Sequence, residues 1–382
     1  MGASSIVFDA RCVAPELSGI GRYALGVLSG LAALHPPQKI YVLGGDARLI
    51  DEAVQGSPWI ERLACDWSAW SGRGLLLLPS YLRELGCQVY HCPYVYAPPF
   101  APGIAKVVTV HDLIPNRCPD MLHRAWKVRL SPLWNLWFRT QCASARAIIT
   151  VSDFSRHELL EFLPLPQAKV HRIYNGVQPS KTTLTAAAVR SRFGLQGLIL
   201  SYIGRHDPYK NIAGLIRAFR HLQNESASEV TLVIGGKLDP RYPEAQRLAA
   251  SLDLERWVVF TDYLDDATRL ALLRASSLFM FASRYEGFGL PPLEAMAEGI
   301  PVVASNAASL PEILGDAALF VAPDDVEGLA RAMRTILSNP ALAQQLSKAG
   351  RERAAQFTWK ACASAHLALY ESLMTGSRSM MP

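Results

Sequence analysis

The stretch "SLFMFASRYEGFGLPPLEAMAEGIPVVAS", residues 277–305, reads as strand, loop, helix and strand in immediate succession. The unbroken apolar run "SLFMFAS" is what a strand buried on both faces requires, and "IPVVAS" repeats it one helix later. Between them, Gly287, Gly289, Pro291 and Pro292 punctuate the loop, and "LEAMAEG" supplies a helix closed by glycine. Two such strands joined through a helix run parallel. The stretch also carries two acids. Glu294 reads as part of the helix's first turn, where the dipole favours a carboxylate. Glu286 precedes the helix on the loop, and no local rule explains it.

The same rhythm extends outward in both directions. Toward the C-terminus "ALFVAP" follows as a strand, and upstream lie "LILSYIG", "VTLVIGG" and "WVVFTDYL". Helices are expected near 212–223, 241–252, 267–275, 291–298 and 326–338. The first half repeats the pattern with "SIVFDA", "KIYVLGG", "CQVYHC", "AKVVTV" and "ARAIITVS", and with helices over 20–34 and 122–140. Alternation of this kind predicts an α/β chain with parallel sheets covered by helices on both faces. The polar segment "QPSKTTLTAAAVRSRFGLQG", residues 178–197, interrupts it and is the expected linker. The reading is therefore two doubly wound domains, 1–178 and 195–358, with a cleft between the carboxyl ends of their sheets. Helical segments near 340–355 and 360–375 follow the last strand, and the C-terminal helix (359–382) is expected to pack back on the first domain.

Bulk properties narrow the class. A chain of 382 residues suits two domains, and 50% hydrophobic with 19% charged residues marks a folded chain. The net charge of +5 favours an anionic ligand or membrane face, yet no dense basic run points to nucleic acid. The seven cysteines, at positions 12, 65, 87, 92, 118, 142 and 362, form no CxxC pair, so neither a disulfide framework nor a zinc knuckle is expected. With no signal pattern and no long apolar run, the expected location is cytoplasmic, with possible peripheral contact at the inner membrane.

Four segments carry chemistry. In "ELSGIGRYALGVLSGLAAL", residues 16–34, Gly19 and Gly21 open a helix, where backbone N–H groups can approach an anion; taken alone, the pair reads first as an ordinary strand-to-helix turn. "TVHDLIP", residues 109–115, puts His111 and Asp112 at the carboxyl end of a strand. "SYIGRHDPYKNIAGLIRAF", residues 201–219, places Arg205 and Lys210 just before a helix, where two cations oppose the dipole unless an anion such as a diphosphate lies between them. The fourth is the opening stretch. Asp265 and Asp266 in "YLDDAT" are adjacent, lack metal-ligand spacing, and are assigned to a helix start, so no metal site is expected.

Glu286 and Glu294 about "GFGLPPL" resemble the paired-glutamate signature of retaining nucleotide-sugar glycosyltransferases of the GT-B fold (glycosyl transferases group 1, family 4 type). "SGIGRY", "VHDLIP", "TVSDFSRHEL", "RIYNGV", "YIGRHDPYKN" and "FTWKACASAHLALYESL" fall in that family's order, so the resemblance spans nearly the whole chain. It implies two Rossmann-like domains, the first holding the acceptor and the second the nucleotide-sugar. Carried over, Arg205 and Lys210 bind the diphosphate and Glu294 the ribose hydroxyls. Glu286 and the backbone of Phe288, Gly289 and Leu290 contact the transferred sugar. Gly21 faces the β-phosphate, and His111 lies near the sugar's reactive side. The implied reaction is hexose transfer with retention and without metal or cofactor, since two cations and helix-terminal N–H groups can stabilise the departing diphosphate. "DPYKN" and "FDAR…SGIGRY" are similar to polysaccharide mannosyltransferases, which favours GDP-mannose or a GDP-6-deoxyhexose as donor.

For the acceptor, "HRAWKVRLSPLWNLWFRT", residues 123–140, interleaves tryptophans with arginine and lysine. That composition fits a membrane interface and a lipid-linked acceptor, as in lipopolysaccharide assembly; core packing explains its apolar stripe as well, and Pro132 is expected to kink it. The alternatives are a UDP-sugar-dependent transferase, a sugar-nucleotide 2-epimerase of the same fold, and a non-catalytic sugar-nucleotide-binding subunit.

Overall fold

A computed structural model describes residues 5–69, 71–122, 124, 130–177, 182–225 and 229–378. The chain forms two compact units. The first runs through Asn116, resumes over 130–176, and takes in the C-terminal segment from Phe357. The second spans 182–356 together with Arg117–Leu122 and Arg124, a stretch the sequence reading put in the first domain. Arg124 is held there by ion pairing with Glu244 at 3.0 Å.

The first unit has a seven-stranded sheet. Its strands are β1 (Ser5–Asp9), β2 (Lys39–Leu43), β3 (Ile60–Leu63), β4 (Cys87–Cys92), β5 (Ala105–Val110), β6 (Ala147–Thr150) and β7 (Val170–Arg172). The order is β3-β2-β1-β4-β5-β6-β7, and every pairing is parallel. The second unit has six strands, β8 (Leu198–Ile203), β9 (Val230–Gly235), β10 (Val258–Phe260), β11 (Leu278–Phe281), β12 (Val302–Ser305) and β13 (Leu319–Val321). Their order is β10-β9-β8-β11-β12-β13, again parallel. The chain thus forms two Rossmann-like α/β domains. In each sheet the winding reverses once, between β1 and β4 in the first and between β8 and β11 in the second. Crevices open at the carboxyl ends of strands at such switch points.

Two edge strands escaped the sequence reading. Strand β3, "IERL", carries two charged residues and is nowhere fully buried, so it lacks the apolar run by which the central strands announce themselves. Strand β7 has only three residues. The expected linker also contains a helix, Ala186–Phe193. Thr185 caps it by accepting from the Ala188 N–H at 3.1 Å, and Gly194 closes it in the left-handed region. It buries only Val189, too little for its periodicity to show.

The helix expected over 122–140 begins later, at Ser131–Ser144, with Pro132 in its first turn. Proline there starts a helix rather than kinking it, since its missing N–H has no partner to lose. Residues 123 and 125–129 of that expectation lie outside the described residues. The C-terminal helix Trp359–Arg378 packs on Gly19–Leu34 within the first unit. Gly26 and Gly30 make the approach possible, because a Cβ on Gly26 would stand 2.2 Å from Trp359 Cε2 and one on Gly30 2.3 Å from the Trp359 carbonyl.

Candidate functional site

At the β8/β11 switch point the loops after the two strands are tied by an ion pair. After β8 the chain makes a tight turn at Pro208–Lys210, and Asn211 adopts a left-handed conformation that lets its side chain bond the Pro323 carbonyl at 2.6 Å. This turn points Lys210 inward. Its Nζ donates to Glu286 Oε1 at 2.5 Å, and both side chains are nine-tenths buried. The ammonium also lies 5.2 Å from the Phe281 ring centre, so an aromatic face and a carboxylate share one cation. Arg205 donates through Nε to Asp207 Oδ2 at 2.6 Å, which holds the guanidinium pKa above its ordinary value; Asp207 is buried while Arg205 reaches solvent.

The glycine-rich loop is fixed from below. Ser309 donates to the Glu286 carbonyl at 3.0 Å, and Ser305 donates to that of Ser283. Gly289 sits at φ 97°, and a Cβ there would come within 2.6 Å of Leu310 Cδ2, so only glycine fits. Phe288 is buried, and Leu290 starts the helix Leu290–Ala297.

Two sequence expectations change here. Glu286 has a structural partner after all, Lys210, and neither Lys210 nor Arg205 waits unpaired for an anion. Glu294 is not in the first helical turn, which holds no acid. It lies one turn further on and pairs with the buried Arg269, whose Nε stands 3.6 Å from Asp266. Removing one member of such a pair leaves a buried charge without compensation, at roughly 3–5 kcal/mol. Arg269 was missed because its partner Glu294 lies twenty-five positions away, and Asp207 because nothing local in the sequence marks its burial. Asp265 caps its helix, accepting from the Thr268 N–H at 2.7 Å.

At the β1/β4 switch point the polar groups are mostly neutral. Ser18 caps the first helix by accepting from the Gly21 N–H at 3.2 Å, so that donor is already engaged. A Cβ on Gly19 would meet nothing within 4 Å. His111 Nε2 contacts the Pro93 carbonyl at 2.8 Å. A carbonyl only accepts, so Nε2 carries the proton and Nδ1 is left as an acceptor. Burial lowers the pKa of His111 to about 4, which keeps the ring neutral. The Tyr23 ring stands edge-on to it with centres 4.8 Å apart. Asp112 accepts from the Ile114 N–H at 3.1 Å.

Behind His111 runs a fully buried chain of hydrogen bonds that no sequence motif signals. His366 Nδ1 donates to the Cys362 carbonyl at 2.8 Å, so its Nε2 accepts from Tyr23 at 2.8 Å. Tyr23 in turn accepts from Thr109 at 3.0 Å, Thr109 from His91 Nε2 at 2.9 Å, and His91 Nδ1 from Tyr370 at 2.5 Å. One carbonyl therefore fixes the direction of every bond. The chain begins and ends on the C-terminal helix.

Two doubly wound domains with polar side chains gathered at each switch point define the GT-B class of fold. Residues 17–181 match the model of Glycosyltransferase Family 4, and 189–353 that of Glycosyl transferases group 1. The chain is 30% identical to the O-antigen chain mannosyltransferase B of Escherichia coli, across 96% of this chain and all of that one. It is 32% identical to the MMP alpha-(1->4)-mannosyltransferase of Mycolicibacterium hassiacum, over 70% of this chain and 66% of that one. Its fold superposes on the crystal structure of Anabaena HepE in complex with UDP-glucose at a TM-score of 0.77 and 17% identity, over 96% and 99% of the two chains. The chain belongs to the family 4 glycosyltransferases of the GT-B fold. Among the described residues, no helix is long and apolar enough to cross a membrane.

Proposed function

We propose that the chain is a retaining hexosyltransferase that moves mannose, or a 6-deoxyhexose, from a GDP-sugar to a hydroxyl of a saccharide or lipid-linked acceptor in cell-surface polysaccharide synthesis. The observation that carries this reading is the buried Lys210–Glu286 pair at the β8/β11 switch point. A pair closed in this way is one that a diphosphate sugar can open. Diphosphate oxygens re-partner Lys210 as a point charge and Arg205 as a fork, and the released Glu286 carboxylate accepts from two hydroxyls of the sugar. The cations and nearby backbone N–H groups then stabilise the charge that develops on the leaving diphosphate, with no metal or cofactor. Glu294 takes the ribose hydroxyls, and Phe288, Gly289 and Leu290 line the sugar through their backbone. His111, Asp112, Gly19 and Gly21 are the contributions expected from the first unit.

Mannosyltransferases among the relatives support mannose, and with it GDP as the carrier nucleotide. The location is cytoplasmic, with peripheral membrane contact carried by Leu130, Leu133 and Leu136. These three are at least half exposed, whereas Trp134 and Phe138 from the same segment are buried in the core.

The test is release of nucleoside diphosphate from GDP-mannose, UDP-glucose and other sugar nucleotides, in EDTA, with and without a mannose-terminated acceptor. GDP release that rises with acceptor and gives an axial α-linked product by NMR supports the reading. Release from a UDP-sugar alone sinks the donor assignment, and epimerised sugar without acceptor sinks the transfer.

A further inference from the structure

Lys210 and Glu286 stand on different loops of the second unit, so their meeting depends on what holds one loop against the other. The Glu286 loop has a firm base. Ser305 donates to the Ser283 carbonyl and Ser309 to that of Glu286, and both serines are buried. The Lys210 turn is a single 3₁₀ turn, Pro208–Lys210. It closes on itself through the Lys210 N–H, which donates to the Asp207 carbonyl at 2.9 Å, and the Asn211 N–H, which donates to that of Pro208 at 3.1 Å. One isolated turn has too little hydrogen bonding of its own to fix the side chain at its end.

Arg284, two residues before Glu286, supplies the tie. Its backbone N–H donates to the Tyr209 carbonyl at 2.7 Å, and its Nη1 to the Pro208 carbonyl at 3.3 Å. One residue thus bonds the two carbonyls that lead into Lys210. The guanidinium is aimed by Asp324, in the loop after β13, whose Oδ1 accepts from Nε at 3.0 Å and from Nη2 at 2.6 Å. Asn211 completes the frame from the far end of the turn, through its 2.6 Å bond to the neighbouring Pro323 carbonyl. The loops after β8, β11 and β13 therefore converge on Arg284.

Folding alone gives little reason for this arrangement. Asp324 is 71% exposed, and an ion pair with one partner in solvent adds little stability. The geometry is what the pair maintains: a fork lying flat between two loops, bonded to the main chain beside one member of the Lys210–Glu286 pair and carried on the strand end that holds the other.

We infer that Arg284 is a positioning residue of the transfer site, holding the Lys210 turn against the Glu286 loop and so setting where the ammonium meets the donor's diphosphate. The inference rests on the proposed glycosyl transfer, and hydrogen exchange on the ligand-free chain keeps the two apart. Arg284→Ala retains the backbone bond to Tyr209 and deletes the guanidinium's three. The amides of Lys210 and Asn211 should then exchange several-fold faster by mass spectrometry, while those of the helix Leu290–Ala297 keep their rate. With GDP-mannose and α-linked mannotriose, kcat should fall about tenfold at unchanged acceptor KM, because small misplacements of a catalytic group are costly. GDP should bind several-fold more weakly. The same substitution added to Lys210→Met with Glu286→Leu should leave that variant's GDP affinity unchanged, because the group Arg284 positions is gone.

Arg284→Lys, which keeps the charge without the fork, should recover part of the loss. Asp324→Asn, a change at an exposed position, should lower kcat about threefold and decides the matter if Arg284→Ala fails to fold. Unchanged exchange at Lys210 and Asn211, a kcat within about twofold of wild type, or an equal loss of GDP affinity in both backgrounds overturns the inference and leaves the transfer reading standing. Faster exchange on Arg284→Ala in a protein whose wild type turns over no sugar nucleotide overturns the transfer reading and keeps Arg284 as the residue that orders the turn.

Discussion

The two sheets are wound alike and reverse at equivalent places, yet the side chains at their switch points differ in kind. At β8/β11 the polar groups form ion pairs: Lys210 with Glu286 between two loops, Arg205 with Asp207 within one loop, and Arg269 with Glu294 between two helices. At β1/β4 it consists of neutral histidines, tyrosines and a threonine joined by directional hydrogen bonds, with one ion pair sealed between Asp9 and Arg11. Topology fixes where a crevice opens, and the residues fix what enters it. Ion pairs can exchange one partner for an anionic ligand without leaving a charge buried alone. A neutral hydrogen-bond chain has nothing to exchange.

The sharpest break of this contrast is Lys210→Ala. Losing the main cation of the second unit should lower kcat by roughly 10²–10³, the usual cost of removing one stabiliser of developing charge. The same change strands Glu286 in a buried site, so stability falls as well. The double variant Lys210→Met with Glu286→Leu separates the two effects, because replacing a buried pair by apolar side chains is often neutral for folding. Thermal unfolding near wild type with turnover still absent is the expected result. Recovered turnover would show that the pair is only structural. Glu286→Ala should impair transfer while GDP binds no more weakly than before, since Lys210 is then released to the diphosphate.

Glu294→Gln comes next. It leaves Arg269 with a neutral partner and the more distant, half-exposed Asp266 at 3.6 Å, and the second unit should lose up to about 3 kcal/mol, read by urea unfolding. Because the first unit makes no use of this pair, its protease resistance in the same titration should hold. A loss shared equally between the units would show that the effect of this pair is not confined to the second.

How much of this was legible in advance follows from what each feature depends on. The central strands showed because parallel strands buried on both faces must be apolar throughout, as in "LFMF" and "AKVVTV". The edge strand "IERL" stayed hidden because one side of it needs no burial. Lys210, Arg205 and Glu286 stood out because strand ends carry them. Their mutual pairing did not, since Lys210 and Glu286 are seventy-six positions apart. The helix-dipole account of Glu294 failed by a single turn, which helix boundaries read from sequence seldom resolve. The hydrogen-bond chain of Tyr23, Thr109, His91, His366 and Tyr370 was wholly invisible, because each residue alone looks like core filling on its own element.

That chain makes acid the next tool. Burial lowers the pKa of His366 from 6.5 to about 4, and pushes His91 well below its ordinary value. An unfolded chain binds protons near pH 6.5 that the folded one refuses, so this stability is complete above pH 6.5 and is lost as pH falls toward 4. For His366 alone the full span is about 3 kcal/mol. Among the described residues, the second unit holds one comparably buried histidine, His206, with a lowered pKa. Urea unfolding with a protease pulse, mapped by mass spectrometry at pH 7 and near pH 5, should therefore show a larger fall in midpoint for the first unit's peptides. Tyr23→Phe removes the donor to His366 and should cost about 1–3 kcal/mol at neutral pH, with a shallower acid dependence if His366 then accepts a proton more readily. Equal midpoint shifts in the two units would break the contrast between neutral and ionic interiors.

The smallest effect concerns the outer face of the Ser131–Ser144 helix in the first unit. Trp134 and Phe138 hold that helix to the sheet, while Leu133 and Leu136 are 65% and 64% exposed. Exposed leucines bury nothing on folding, so Leu133→Ser with Leu136→Ser should change stability by no more than about 0.5 kcal/mol. In water, mannotriose transfer should be unaffected. Sedimentation with vesicles containing anionic lipid is the discriminating measurement, because each leucine inserted into the interface adds apolar burial that a serine does not. A several-fold fall in the bound fraction would make this face the membrane contact and give the first unit a lipid-directed surface. Binding that is unchanged by the leucines and abolished by salt would reduce the contact to the chain's net positive charge, a property that belongs to neither unit alone.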